Sequence, residues 1–343
     1  MKLTKTTIAS VITATLALGA AGQASASVYA GSRLLIQDLN IGVTNLVAPA
    51  LQNYTFTTDA SANLNGNASG ATLATCTQAT CGNVAPILES TANAPGGTVN
   101  RAAGNFNFFG PVHGTQTYAN SGSQIDDAVL ANGNPTSANQ ISETELRTTG
   151  VGVANTLISS ETVFKFNFAV APGGGDLSVN FQADPNIYLA LDTPNLITAT
   201  ATGTISASFV LKGANGDSVN WAPNGVSAGN SIFDFTKCIG ASIACSESDA
   251  SGESLNLTET IPAVNPVGVS FSDNRVPQLN ASPDLGWSDY GMLISGLSDG
   301  DYTLTLTTTT FARAQQEVPE PSTLALLGLS LVSFGFAKRK KTS

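Results

Sequence analysis

From residue 162 to 170 the chain places Phe164, Phe166, Phe168 and Val170 at every second position, with Lys165 and Asn167 between them. Successive side chains of a strand point to opposite faces, so a period of two predicts a half-buried β-strand and not a helix. Pro172-Gly173-Gly174-Gly175 reads as a turn, and Leu177, Val179 and Phe181 then resume the alternation. Two adjacent strands joined by that turn are the expectation. Similar patterns predict strands at 33–43 (RLLIQDLNIGV), 53–58, 105–109 (NFNFF), 187–191, 197–211 and 231–236. Others follow at Leu255 and Leu257, at 267–271 and 292–294, and at 302–311 (YTLTLTTTTF) after a Ser298-Asp299-Gly300-Asp301 turn. Residues 59–104, rich in Ala, Asn, Gly, Ser and Thr, read as a long, partly strand-forming loop region. Short helices are expected at 123–130 and 138–147. Roughly ten to thirteen short strands with Gly, Pro and Asn turns predict an all-β fold, an antiparallel β-sandwich or jelly roll with short helices. No Pro- or charge-rich linker divides the chain, so a single ectodomain spanning 27–312 is expected. No fixed-period repeat is present, which disfavours a solenoid or propeller.

The two ends differ from this pattern. Lys2 and Lys5 precede an apolar run over 8–21, and Ala24-Ser25-Ala26 forms an A-x-A site. This order predicts a signal peptide at 1–26, with an N-terminal signal helix and a mature chain beginning near Ser27. At the other end, Pro319 and Pro321 hold their surroundings extended and out of a helix. Residues 322–337 then contain no charge, and Lys338, Arg339, Lys340 and Lys341 follow. Sixteen uncharged residues make roughly 24 Å of helix, short of a hydrocarbon core of about 30 Å. Snorkelling by the four cations supplies part of the difference and keeps them on the cytoplasmic side. A single C-terminal transmembrane helix is therefore expected at 322–337, with Leu324, Leu326, Leu327, Leu329, Leu331, Val332, Phe334 and Phe336 facing lipid. Residues 313–321 are read as a stalk and 338–343 as a basic cytoplasmic tail. The competing reading is a buried core helix, which the basic block disfavours.

Val318-Pro319-Glu320-Pro321-Ser322-Thr323, the Leu- and Gly-rich run and the Lys-Arg-Lys-Lys block together closely resemble the PEP-CTERM sorting signal. The neighbouring Ala312-Arg313-Ala314-Gln315-Gln316 resembles one uncharacterised group of exosortase-dependent surface proteins. This resemblance implies that Pro319, Glu320 and Pro321 are recognised by a membrane-embedded exosortase, as substrate residues and not as catalytic ones. It further implies transient anchoring in the inner membrane, then the cell surface or extracellular matrix of a Gram-negative bacterium. Signal peptidase and the Sec export machinery are the other expected partners, with exopolysaccharide a further one.

Residues 27–337 hold 8 of the 14 basic residues and all 24 acidic ones, a net charge of −16 against −10 for the whole chain. Such a surface repels nucleic acid and anionic lipid, so nucleic-acid binding is excluded. Export favours disulfides among Cys76, Cys81, Cys238 and Cys245. Three connectivities exist, and the local pairs Cys76–Cys81 and Cys238–Cys245 are the simplest. The Cys spacings and the single histidine argue against zinc, and no cofactor or metal is expected.

Candidate chemistry is sparse. His113 is the only histidine, and no G-x-S-x-G elbow accompanies it, so a catalytic triad is disfavoured. Asp126-Asp127, Glu143 with Glu145, and Asp299 with Asp301 are carboxylate pairs that a glycosidase would use across a cleft. Solvated turn or helix-end positions are the plainer reading of all three. Asp299-Gly300-Asp301 lacks the spacing of a calcium loop. Trp221 (NWAPN) and Trp287 (GWSDY) stand in loop-like contexts, where an indole can stack on a sugar ring or fill the core. The expectation is a non-enzymatic exported surface or matrix protein, structural or adhesive; a carbohydrate-binding module is the alternative and an extracellular hydrolase the third.

Overall fold

The computed structural model describes residues 26–64, 67–81, 87–93, 99–110, 117–125, 137–148, 152–192, 198–213, 215–223, 235–247, 254–262, 269–271 and 286–318. The period-two segments pair into two antiparallel sheets. In spatial order the first holds β12 (Ala244–Glu247), β15 (Ser288–Leu297), β8 (Gly175–Asp192), β1 (Ala26–Val43), β6 (Ser137–Thr148), β5 (Tyr118–Ile125) and β4 (Leu88–Asn93), with β14 (Val269–Phe271) also on β8. The second holds β11 (Phe235–Ile239), β10 (Ser218–Trp221), β9 (Thr198–Gly213), β16 (Gly300–Val318), β7 (Gly152–Val170), β2 (Leu46–Leu64) and β3 (Asn67–Thr77), with β13 (Leu257–Pro262) also on β9. The expected all-β sandwich is what forms.

The sheets face each other over one core whose character changes along the strands. Near the start of β16, Phe164, Phe166, Phe168, Tyr302, Leu304 and Leu306 are buried. Phe181 there stacks on Phe209 and Tyr290 at centroid distances of 5.4 and 5.2 Å. Toward the end of β16 the buried positions become Thr308, Thr310, Ala312, Ala314 and Gln316. Hydroxyls now join the sheets: Ser142 Oγ donates to the Thr310 carbonyl at 3.0 Å and Ser32 Oγ to that of Phe311 at 2.7 Å. Small residues let the sheets approach closely. A Cβ on Gly203 would stand 2.6 Å from Ile187 Cγ2 and 2.8 Å from Ser32 Oγ.

Four expectations are corrected. The helix expected at 138–147 is strand β6, and 123–125 ends β5, while 126–130 lie outside the described residues. Ala, Gln, Glu and Leu favour helix locally, but β6 is buried on both faces, and tertiary packing overrides that weak preference. The helix among the described residues is a single turn, α1 (Gln78–Cys81). Secondly, β7 and β8 are not a hairpin, because the Gly-rich turn carries the chain from one sheet to the other. Alternation identifies a strand without naming its partner. Thirdly, 105–109 forms no strand; it belongs to a segment, 99–110, that covers part of the outer face of the first sheet, over β1, β6 and β5. Its Phe108 packs so closely over Gly31 that a Cβ there would meet the ring at 2.7 Å. Finally, residues 313–318 are not a stalk but the last third of β16. The expected loop region 59–104 contributes the end of β2, β3, α1 and β4.

Candidate functional site

The end of β16 is hydrogen-bonded on both sides. Arg313 pairs with Leu157 of β7 and Thr202 of β9, and the ladders continue to Val318 opposite Gly152 and Glu317 opposite Thr198. Across the sandwich, Gln140 bonds Thr308 and Ser142 bonds Thr310, so β6 runs the same way as β16. Strand β1 is antiparallel to β6 and begins at Ala26, opposite Thr148. The start of β1 and the end of β16 therefore lie at the same end of the sandwich. Ser27, the expected first mature residue, is buried there, and its Oγ donates to Glu145 Oε1 at 2.8 Å.

Next to this end, a polar cluster is sealed between the first sheet and the 99–110 segment. Register places Tyr29 of β1, Glu143 and Glu145 of β6, and Tyr118 and Asn120 of β5 on one outward face. The Glu143 carboxylate accepts from the Arg101 guanidinium, from Tyr29 Oη at 2.8 Å and from the Phe109 amide at 2.9 Å. Arg101 also donates to the Asn105 and Asn107 carbonyls at 2.6 and 2.9 Å and lies 4.6 Å from the Phe109 ring centroid. The side chains of Arg101 and Glu143 are 1 % and 0 % exposed. Burial, reinforced by the Glu143 charge, raises the Tyr29 phenol well above its ordinary range; burial and then Glu143 and Glu145 do the same for Tyr118. A charge taken out of water is tolerable only when paired and hydrogen-bonded, which describes Glu143. The expectation of solvated positions for Glu143 and Glu145 is thus corrected: both are buried, and neither lines a described cleft. Sequence reasoning missed Arg101 and Tyr29 altogether. The one available signal was an isolated arginine in an otherwise uncharged stretch, which is hard to leave unpaired in a packed segment.

The remaining candidates divide clearly. Pro319, Glu320 and Pro321, the apolar residues of 322–337, the basic block at 338–341, residues 1–25, His113, Asp126 and Asp127 all lie outside the described residues. No helix among the described residues is long and apolar enough to cross a membrane. Cys238 and Cys245 form a disulfide, closing a small loop between β11 and β12, and Cys76 is disulfide-bonded as well. The Asp299 and Asp301 side chains are exposed at the turn into β16; Asp299 lines an open cleft of about 580 Å³ with Asp176, Ser242 and Ser298. Trp221 is withdrawn as a sugar contact. It is 0 % exposed, packs 5.0 Å from Phe209, and donates its Nε1–H to Glu247 Oε1 at 2.7 Å.

Trp287 stays outside, 42 % exposed at the start of β15. Two residues further, exposed Asp289 accepts from Gln182 Nε2 at 2.9 Å, and Gln182 Oε1 accepts from Gln37 Nε2 at 2.9 Å. These three are directly opposed in register across β15, β8 and β1. Beside them an open cleft of about 360 Å³ is lined by Asp38, Asn180, Phe181, Gln182, Asp289 and Tyr290. Asp38 sits in the irregularity between Gln37 and Asn40 with a φ of 54°.

Comparison with known proteins finds a PEP-CTERM protein-sorting motif at residues 317–340. No curated protein matches the chain. Among solved structures, T=1 particles derived from infectious bursal virus align at 12 % identity over 90 % of this chain and 85 % of that one, with a TM-score of 0.10. The structure of the infectious bursal disease virus Gx strain aligns at 12 % identity over 90 % and 87 %, with a TM-score of 0.07. Scores this low carry no argument about fold or function. The sorting motif supports exosortase-dependent sorting of an exported protein with a transient membrane-anchored stage, and its first two residues, Glu317 and Val318, are the last two of β16.

Proposed function

We propose that this is a non-enzymatic surface protein whose sandwich has a structural or adhesive role in an extracellular polysaccharide matrix. The observation that carries the reading is the direct junction between β16 and the sorting motif. A folded sandwich that starts and ends on one side suits a chain tethered by a signal at one terminus and a sorting tail at the other. On this reading signal peptidase and the Sec machinery act at Ala26, an exosortase acts at Pro319-Glu320-Pro321, and the freed sandwich stays at the Gram-negative cell surface or in its matrix. The apolar residues of 322–337 and the 338–341 cations would hold the chain in the inner membrane until then. The sealing of Glu143 and Glu145 removes one of the acidic pairs that a hydrolase reading would use.

The test is Glu320→Ala, or deletion of residues 318–343, followed by cell fractionation. Expected is an unprocessed chain retained in the membrane for Glu320→Ala, and loss of surface attachment for the deletion. Wild-type processing and location in both would overturn the reading. A second reading, recognition of carbohydrate, is favoured by the exposed Trp287.

A further inference from the structure

We propose that the outer face of the first sheet, where β1, β8 and β15 run side by side, binds an uncharged saccharide chain. This deepens the second reading above, and it concerns a surface separate from the sorting tail. Saccharide recognition needs two chemistries side by side: a flat apolar surface for the C–H faces of a pyranose, and planar groups that both donate and accept hydrogen bonds. Trp287 supplies the first. The Gln37–Gln182–Asp289 row supplies the second, a ladder of two carboxamides and a carboxylate crossing three strands spaced about 4.8 Å apart. The internal bonds of the row use Gln37 Nε2, both polar atoms of Gln182 and Asp289 Oδ1. Gln37 Oε1, Asp289 Oδ2 and the second hydrogen of each amide nitrogen are outside those bonds. The row is therefore oriented before any ligand arrives, which lowers the ordering cost of binding.

The cleft beside the row has a structural origin. On this face of β15, Asp289 is followed by Gly291, which offers no side chain, and Asn180 stands opposite it in register. Two residues beyond comes Leu293, 44 % exposed, a second apolar side chain on this face. The bulge between Gln37 and Asn40 holds Asp38 in the left-handed region and sets it on the wall of the same cleft. Bulges re-aim side chains in this way, and non-glycine residues with positive φ concentrate at functional sites. Two carboxylates at the rim of a protein with a net charge of −10 disfavour an anionic ligand, which selects for a neutral polymer.

The chain has two tryptophans, and Trp221 is wholly buried, so acrylamide quenching of indole emission reports chiefly on Trp287. Full-length protein in detergent is titrated with cellohexaose, maltohexaose, a β-1,3-glucan hexamer and β-1,6-linked N-acetylglucosamine oligomers, with an alginate oligomer as the anionic control. Expected is protection from quenching by at least one neutral oligomer, no protection by alginate, and, with affinities of wild type and variants read by isothermal titration calorimetry, a tenfold or greater loss in both Trp287→Ala and Asp289→Ala. The unchanged melting temperature of Asp289→Ala, an exposed position, separates loss of binding from loss of fold. No neutral oligomer binding at millimolar concentration, or variants that bind as wild type does, would overturn the proposal. Either result leaves the fractionation outcome for Glu320→Ala untouched, so failure here and failure of the sorting reading are distinguishable.

Discussion

Replacing Arg101 by Met keeps most of its apolar stem and removes the cation that faces Glu143. The carboxylate left behind is 0 % exposed and still accepts from Tyr29 Oη and the Phe109 amide, both neutral donors. Removing one partner of a buried ion pair costs about 3–5 kcal/mol, because the other charge stays buried without compensation. Here the same substitution also frees the Asn105 and Asn107 carbonyls, so the upper half of that range is expected. At roughly 2 °C per kcal/mol for a domain of this size, the melting temperature should fall by about 8–10 °C. Glu143→Leu should cost a similar amount by stranding Arg101. The double variant, with two apolar side chains in contact, should cost far less than the two single changes added together, since replacing a whole buried pair is often close to neutral. Thermal unfolding of the three variants followed by far-UV circular dichroism gives the cycle. A loss below about 1 kcal/mol for Arg101→Met, the magnitude of a surface pair, would refute a sealed cluster.

Two further perturbations act elsewhere in the molecule. Cys238→Ser with Cys245→Ser opens a loop of seven-residue separation and should cost about 2 kcal/mol in the chain-entropy model, read by urea unfolding with and without reductant; an unchanged midpoint would count against the bond's contribution. Raised phenols make the fold sensitive to alkali. Tyr29 and Tyr118 keep their protons in the folded state, whereas the unfolded chain loses them near pH 10. Their contribution is therefore complete below pH 10 and lost above it, by up to about 1.4 kcal/mol per pH unit for each tyrosine. Phenolate absorbance of the six tyrosines should rise in two stages, the second coinciding with loss of the near-UV signal; a single stage near pH 10 with the fold intact would be the contrary result.

Strand positions were legible because alternation is a local property. The run from Phe164 to Val170 and the run from Tyr302 to Phe311 each carry it within a few residues, and both are central strands. Partnership was not legible, since β7 and β8 alternate equally well whether they pair with each other or face across a core. Strand β6 was misread for a related reason. Its sequence SANQISETELRT has polar side chains on both faces, yet both are covered, one by the opposite sheet and one by the 99–110 segment. A pattern of apolar inside and polar outside does not exist in such a strand, so residue composition pointed to helix.

The functional surfaces show the same division between local and long-range information. The sorting tail is read from consecutive residues, because extended prolines, an apolar run and a cationic block act through their order alone. The Gln37–Gln182–Asp289 row spans 145 and 107 residues of sequence in its two bonds, and nothing near any one member marks the others. The two tryptophans, alike in sequence context, separate only through tertiary placement: register opposite Phe209 carries Trp221 into the core, while Trp287 sits before the first pair of β15. The same placement dissolves the expected stalk. Arg, Ala, Gln and Glu in 313–317 look like a polar spacer, yet Ala314 and Gln316 are buried inward positions of β16. A strand of 19 residues spans about 60 Å, so β16 crosses the whole sandwich and ends where the sorting motif begins. The last ladder bonds of the domain therefore adjoin the segment that the exosortase must engage, and folding and sorting meet within two residues, Glu317 and Val318.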